Sequence, residues 1–211
     1  MKAYNIYNGW GDAEDEYLHA FSFFRKPIKN TEPLRCIRIP DVYRYIVGPY
    51  AKKQTQELRN IADAKMARKY KAENFDFCTF SGIFRNRSRD ALLLHSELLC
   101  IDFDHVKDLA SLKEKLLNDE YFNTEMLFQS PSGDGLKWII EIHRKGWEHE
   151  NFYRAVYNYL LANGYPEPDK SGKDVARSCF LPYDPNIYIN PRYNYEIKEN
   201  FFSRRLDQCP F

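Results

Sequence analysis
Two hydrophobic rhythms run along the chain. Residues 51–71 carry Leu58, Ile61, Ala62, Met66 and Tyr70 at three- and four-residue spacing, without glycine or proline. That spacing predicts one amphipathic helix. It recurs in 108–118, where Leu109, Leu112 and Leu116 form a stripe behind Asp108 as N-cap. It recurs again from Glu148 to Asn163, with Phe152, Val156, Tyr159 and Leu160, and stops at Asn163-Gly164. Period two marks the strands TEMLFQ (124–129) and LKWIIEIH (136–143) on either side of the turn SPSGDG. In the second, Leu136, Trp138, Ile140 and Ile142 alternate with Lys137, Ile139, Glu141 and His143. HSELLCIDFD (95–104) reads as a strand with an apolar centre, and FDFCTFSGIF (75–84) as strand, Ser-Gly turn, strand. Before residue 50 the pattern is irregular, with short strands around Phe21, Phe23 and Phe24 and in LRCIRIP (34–40).

From residue 95 the order is β-α-β-β-α-β, that of a split βαβ or ferredoxin-like (RRM-like) sheet. The expected fold class is α+β, with this sheet preceded by a helix-rich α/β unit. At 211 residues the chain suits one domain: a helix-rich part over about 1–75, the sheet over 76–197, and a tail over 198–211.

Charge changes that picture only locally. Thirty-one Lys and Arg face thirty Asp and Glu, a net +1 that excludes indiscriminate whole-surface binding to nucleic acid. The neutrality is a cancellation. Residues 51–71 hold seven basic and two acidic residues, Arg85, Arg87 and Arg89 follow, and Asp12–Glu16 is acidic. A solvated helix face is the default meaning of such a run. No apolar run reaches 18 residues and no secretory leader is visible, so no membrane association and a cytoplasmic location are expected. Five cysteines show no metal-ligand spacing; Cys78 and Cys100 lie in apolar runs, as small buried hydrophobes of a reducing compartment do. The five histidines form neither H-x-H nor H-E-x-x-H.

Three clusters bear chemistry. Asp102 and Asp104 close the strand at i and i+2, so both carboxylates project from one face while Phe103 turns away. Their Cα atoms lie about 6.5–7 Å apart. That suits divalent ions about 3.5–4 Å from each other, as in phosphoryl transfer. Ser130 to Lys137, with Gly133 and Gly135, forms a turn whose backbone N–H groups, Ser130 and Ser132 hydroxyls and Lys137 ammonium suit a phosphate, although an ordinary hairpin has the same composition. The third is Asp169 to Arg177, in which Asp174 and Arg177 share a helical face, as a surface ion pair also would.

Taken in order, ID-F-D, SPSGDGLK and D-x-x-R-x-C-F-L-P-Y-D-P resemble the primase–polymerase-like domain at the N-terminus of VirE-type proteins of Bacteroides-group bacteria and their mobile elements. That group is similar in turn to the archaeo-eukaryotic primases. The resemblance runs from about Ser81-Gly82 to Asn190-Pro191. It implies a DNA primase or polymerase-type nucleotidyltransferase in mobile-element replication. Asp102, Asp104 and Asp174 would hold two Mg²⁺ or Mn²⁺ ions, with Asp169 as the alternative third ligand; Asp174 is preferred because Arg177 follows it. Ser130, Ser132, Gly133, Gly135, Lys137 and Arg177 would bind the phosphates of a nucleoside triphosphate. Lys137 stands where those primases carry a histidine, a point charge in place of a group that titrates near neutrality. Arg85, Arg87, Arg89, Lys52 and Lys53 would contact a single-stranded DNA template, and a helicase-like domain or protein would be a partner. The missing histidine motivates the alternative: a catalytically inactive module that binds nucleotide or single-stranded nucleic acid within a larger replication protein.

Overall fold
A computed structural model describes residues 19–199. The protein is α+β, and its strands pair antiparallel throughout. Strands β1 (Phe21–Phe24) and β2 (Arg35–Ile37) lead to helices α1 (Ile39–Val47), α2 (Lys52–Arg59) and α3 (Ala64–Asn74). Strands β3 (Phe77–Thr79), β4 (Gly82–Phe84), β5 (Leu92–His95) and β6 (Leu98–Phe103) follow. Then come α4 (Leu109–Leu117), β7 (Thr124–Gln129), β8 (Leu136–Glu141), α5 (His149–Ala162), β9 (Cys179–Phe180), β10 (Tyr188–Ile189) and α6 (Asn194–Glu199).

Two four-stranded sheets stack, in the orders β2-β1-β3-β9 and β10-β7-β8-β6, and β4 with β5 forms a separate ribbon. Between the sheets, Phe21, Phe23, Cys78 and Phe80 meet Leu98, Met126, Phe128 and Ile139. The far face of the second sheet carries Leu99, Ile101, Phe103, Trp138 and Ile140, covered by Leu112 and Leu116 of α4 and Tyr153, Val156 and Leu160 of α5. The second sheet is thus buried on both faces, so Lys137 and Ile139, which the alternation set against the apolar set, are buried as well.

Several expectations change in three dimensions. The sheet contains a split βαβ, β6-α4-β7 with β8 between its strands. The strand that would close a ferredoxin-like sheet does not join β6: β9 pairs with β3 at Cys78↔Cys179, and β10 pairs with β7. Cys179 and Leu181 enter the core between the sheets, and that burial draws their segment away from β6. The helix expected over 51–71 is two helices. Asp63 begins the second by accepting from the Met66 amide at 2.7 Å, so α3 turns away, buries no residue and leaves Met66 exposed. FDFCTFSGIF is strand, turn, strand as read, and its two strands join different sheets. Helix α1 lies in a stretch read as irregular, although Ile39, Val42 and Ile46 have helical spacing and are buried. Helices α4 and α5 and strands β7 and β8 fall where the periodicity puts them, and Asp108 caps α4 through the Ser111 amide.

Cys78, Cys100 and Cys179 are free thiols of the central layer, whereas Cys36 is disulfide-bonded, a departure from the uniformly reduced chain suggested by the sequence. No helix among the described residues is long and apolar enough to cross a membrane.

Candidate metal and phosphate site
Asp102 is the last-but-one residue of β6 and lies directly opposite Lys137 of β8. Opposed residues of antiparallel strands send their side chains to one face. Here that face looks into the layer between the sheets, and Lys137 Nζ forms an ion pair with Asp102 Oδ2. Burial pushes the Lys137 ammonium below its ordinary value, with Cys179 and Cys100 acting the other way. Asp102 Oδ1 is buried without a hydrogen-bond partner. Phe103 points into the helix-side core and Asp104 emerges into solvent just past the strand. Lys137 is therefore bonded to the acidic cluster rather than left free for a phosphate.

The turn between β7 and β8 folds back against the end of β6. Its closure runs from the Ser130 amide to the Gly135 carbonyl, 2.8 Å, and from the Gly133 amide to the Ser130 carbonyl, 3.0 Å. Gly133 has φ of 87°, which glycine adopts freely. At Gly135 a Cβ would collide with the Phe103 carbonyl oxygen, so only glycine lets the turn lie beside Asp104. Arg59 at the end of α2 holds the turn from outside, donating from Nε to the Pro131 carbonyl at 3.3 Å and from a terminal nitrogen to Gln129 Oε1 at 3.1 Å. Ser130 is buried and its hydroxyl has no partner, while Ser132 is exposed.

The third carboxylate that converges is Asp169. Asp102, Asp104 and Asp169 offer oxygens that all lie within 4.8 Å of one another. The Asp169 amide donates to the Asp102 carbonyl at 2.8 Å, which ties the loop to β6. Two side chains of α5 pin the rest: Tyr153 donates to the Asp169 carbonyl at 2.6 Å, and His149 Nε2 bonds the Gly172 carbonyl at 3.1 Å. Burial acts to raise the Asp169 carboxyl, but Ser171, through hydroxyl and amide, and Arg177 outweigh it and hold the group below its ordinary value. Asp104 moves the opposite way, raised by burial and then by Asp169. Asp174, preferred from the sequence, stands outside this trio. It is exposed, accepts from the Ala176 amide at 3.1 Å, and lines the adjoining cavity, which Asp169 does not. Arg177 lies three residues after Asp174 but pairs with Asp169, at 3.1 Å.

A cavity of about 260 Å³ lies over this cluster and is lined by Asp102, Asp104, Asp174, Lys137, Arg177 and Ser130, among others. The basic residues expected to contact a template do not share one set of surroundings. Arg87 lines the cavity; Arg85 and Arg89 are exposed, the latter bonded to Glu150 at 2.9 Å. Lys52 and Lys53 are exposed on α2, Lys52 over the Tyr183 ring and Lys53 beside Glu57. Sequence reasoning placed Arg59 and Lys71 only within the basic segment 51–71, a candidate for the template backbone, and gave His149 and Ser178 no role. His149 lines the cavity as a neutral ring, its Nδ1 3.1 Å from His95 Nε2, and burial lowers the pKa of both histidines. No local pattern announces these residues.

The three carboxylates fit a hard divalent cation: all donors are oxygen, one Asp102 oxygen is buried and unpartnered, and Asp104 is raised by burial and by the neighbouring Asp169 carboxylate, whose charge a cation would neutralise. A family model described as BT4734-like, N-terminal domain, matches residues 69–189, a span that holds every residue of the cavity lining except Ile28. No curated protein and no solved structure matches the chain.

Proposed function
The chain belongs to the BT4734-like, N-terminal domain family, and on that premise we propose that its cavity serves metal-dependent nucleotidyl transfer of DNA primase or polymerase type, in replication of a mobile element. The observation that carries the reading is the convergence of Asp102, Asp104 and Asp169 beside a cavity that also holds Lys71, Arg87, Lys137 and Arg177. Carboxylates and cations side by side are what a metal-bound triphosphate requires. Asp102, Asp104 and Asp169 would hold Mg²⁺ or Mn²⁺. Bound there, the cation supplies Lewis-acid activation of an attacking hydroxyl and neutralises charge on a pyrophosphate leaving group. Arg177 and Ser171 fix the Asp169 carboxylate, and the backbone link from Asp169 to Asp102 sets their spacing. Lys137 neutralises one Asp102 oxygen, which lowers the cost of gathering three carboxylates in a half-buried place. The reading extends to a nucleoside triphosphate as substrate, a single-stranded DNA template outside the cavity and a helicase-like partner.

Primer synthesis on single-stranded DNA with Mg²⁺ or Mn²⁺ tests it: wild type incorporates nucleotide and Asp102→Ala does not, and equal incorporation by both would sink the reading. Mn²⁺ binding followed by electron paramagnetic resonance tests the ligand set. Asp169→Asn should weaken binding by about tenfold or more, in the range that loss of ligand support gives, and Asp174→Asn much less; the reverse order would make Asp174 the third ligand. One observation favours a second reading, that of a non-catalytic binding module. Lys137 already occupies a cation's position at Asp102. Salt-sensitive DNA binding unchanged by EDTA, with no incorporation under either metal, would select it.

A further inference from the structure
The seven buried side-chain polar atoms left without a hydrogen-bond partner among the described residues are not scattered at random: Arg87 Nε, Asp102 Oδ1, Ser130 Oγ and Ser178 Oγ all belong to residues lining the one cavity. An unsatisfied buried donor costs about 1–3 kcal/mol, more when charged, so such a cluster points to a polar ligand that completes it. The cation count says which kind. Four cations line the cavity, and two are committed, Lys137 to Asp102 and Arg177 to Asp169. Among the described residues neither Lys71 nor Arg87 pairs with a carboxylate. Asp174 is the carboxylate whose charge acts on Arg87, and the Lys71 charge acts to lower Asp104, both without a contact of ion-pair length.

Arg87 is built into place rather than waving in solvent. Its amide donates to the Thr31 carbonyl at 2.8 Å, one terminal guanidinium nitrogen donates to the Ile28 carbonyl at 2.6 Å, and the guanidinium packs 5.4 Å from the Phe77 ring centroid. These contacts hold the guanidinium in place at the cavity wall, with its Nε buried and unpartnered. Ser178, just before β9, adds a hydroxyl, and Lys71, 5.9 Å over the Phe180 ring, adds an ammonium charge.

We propose that Arg87, Ser178 and Lys71 form a polyphosphate subsite, the seat of the phosphate chain of the substrate whose reacting phosphate lies at the carboxylates. This rests on the nucleotidyl-transfer reading and moves Arg87 from template to substrate. The chemistry is that of charge-assisted donors to a tetrahedral oxyanion chain. At about 260 Å³ the cavity is smaller than a pocket for a whole nucleotide, so the phosphate chain enters and the nucleoside stays at the mouth.

Calorimetric titration of the full chain with inorganic tripolyphosphate tests it, in EDTA so that no metal contributes. Wild type binds, Arg87→Met weakens binding by about tenfold or more, Ser178→Ala by about threefold to tenfold, and Lys145→Met, an exposed charge elsewhere, leaves it unchanged. If Arg87→Met has a lowered melting temperature, Ser178→Ala carries the decision. Binding of tripolyphosphate that is equal in wild type, Arg87→Met and Ser178→Ala overturns the proposal. So does a loss in Arg87→Met confined to single-stranded oligonucleotide. Tripolyphosphate binding that depends on Arg87 in a protein without primer synthesis upholds the subsite and refutes only the polymerase reading.

Discussion

Replacing Lys137 by methionine removes one member of a buried ion pair while keeping most of its volume. The two side chains retain 11% and 16% of their exposure, and Asp102 has a second oxygen already buried and unpartnered. At an effective dielectric constant near 20 two unit charges at about 4 Å attract by about 4 kcal/mol. The cost of drying both charges offsets most of that gain, so the intact pair is close to neutral for stability. Breaking it from one side is not neutral, because Asp102 then keeps its desolvation cost without its partner, about 3–5 kcal/mol. In a protein of this size each kcal/mol moves the melting temperature by about 2–4 °C, so Lys137→Met should melt about 6–20 °C below wild type. Thermal unfolding followed by circular dichroism at pH 7 in EDTA reads this directly. Two further arms fix the cause. Asp102→Leu combined with Lys137→Met should regain most of the loss, since no charge is then stranded. Mg²⁺ should raise the melting temperature of Lys137→Met more than that of wild type, because the freed Asp102 oxygen becomes available to the cation; saturation at about 100 times the dissociation constant is worth about 2.7 kcal/mol. A Lys137→Met protein melting within about 1 °C of wild type in EDTA, or a double variant no better than the single, would refute the stranded-charge argument.

Gly135→Ala should cost about 1–3 kcal/mol of unfolding free energy in urea, because its Cβ meets the Phe103 carbonyl and the turn must move; since Asp104 shares that backbone, Mn²⁺ affinity should fall with it, and an unchanged protein would mean that the turn does not rest on β6. The buried pair His95 and His149 predicts acid sensitivity. Burial holds the folded pKa of His95 down at about 3, against an unfolded value near 6.5. Between those values the unfolded chain binds the extra proton, so stability is full above about 6.5 and is lost as pH falls toward 3. That loss reaches about 2 kcal/mol at pH 5. Urea unfolding at pH 7 and pH 5 measures it. His95→Gln, which keeps a donor to His149 and an acceptor for Glu97, should show a shallower loss, and an equal slope in both proteins would remove His95 as the cause.

Periodicity was sufficient for α4, α5, β7 and β8, because each presents a regular apolar stripe to one core and its ends carry local signals such as Asp108 and Asn163-Gly164. It was sufficient too for the convergence of Asp102, in β6, and Asp104, one residue past its end, since the i and i+2 spacing brings their oxygens together. Their partners depend on contacts remote in sequence. Asp169 outranks Asp174 because its amide reaches the Asp102 carbonyl and Tyr153 and His149 pin its loop, three contacts that no spacing rule encodes. Lys137 looks like the polar half of a two-faced strand until a second sheet covers it, and then the same residue is a buried counter-ion. Arg87 differs from Arg85 and Arg89 only through what the N-terminal segment and Phe77 place around its guanidinium. The sequence by itself determined the α+β class, the split βαβ and the first two carboxylates, all consequences of short-range backbone geometry. The third carboxylate, the buried cation and the division of the basic residues were decided by tertiary structure, because burial and charge pairing are properties of surfaces that meet only after the chain has folded.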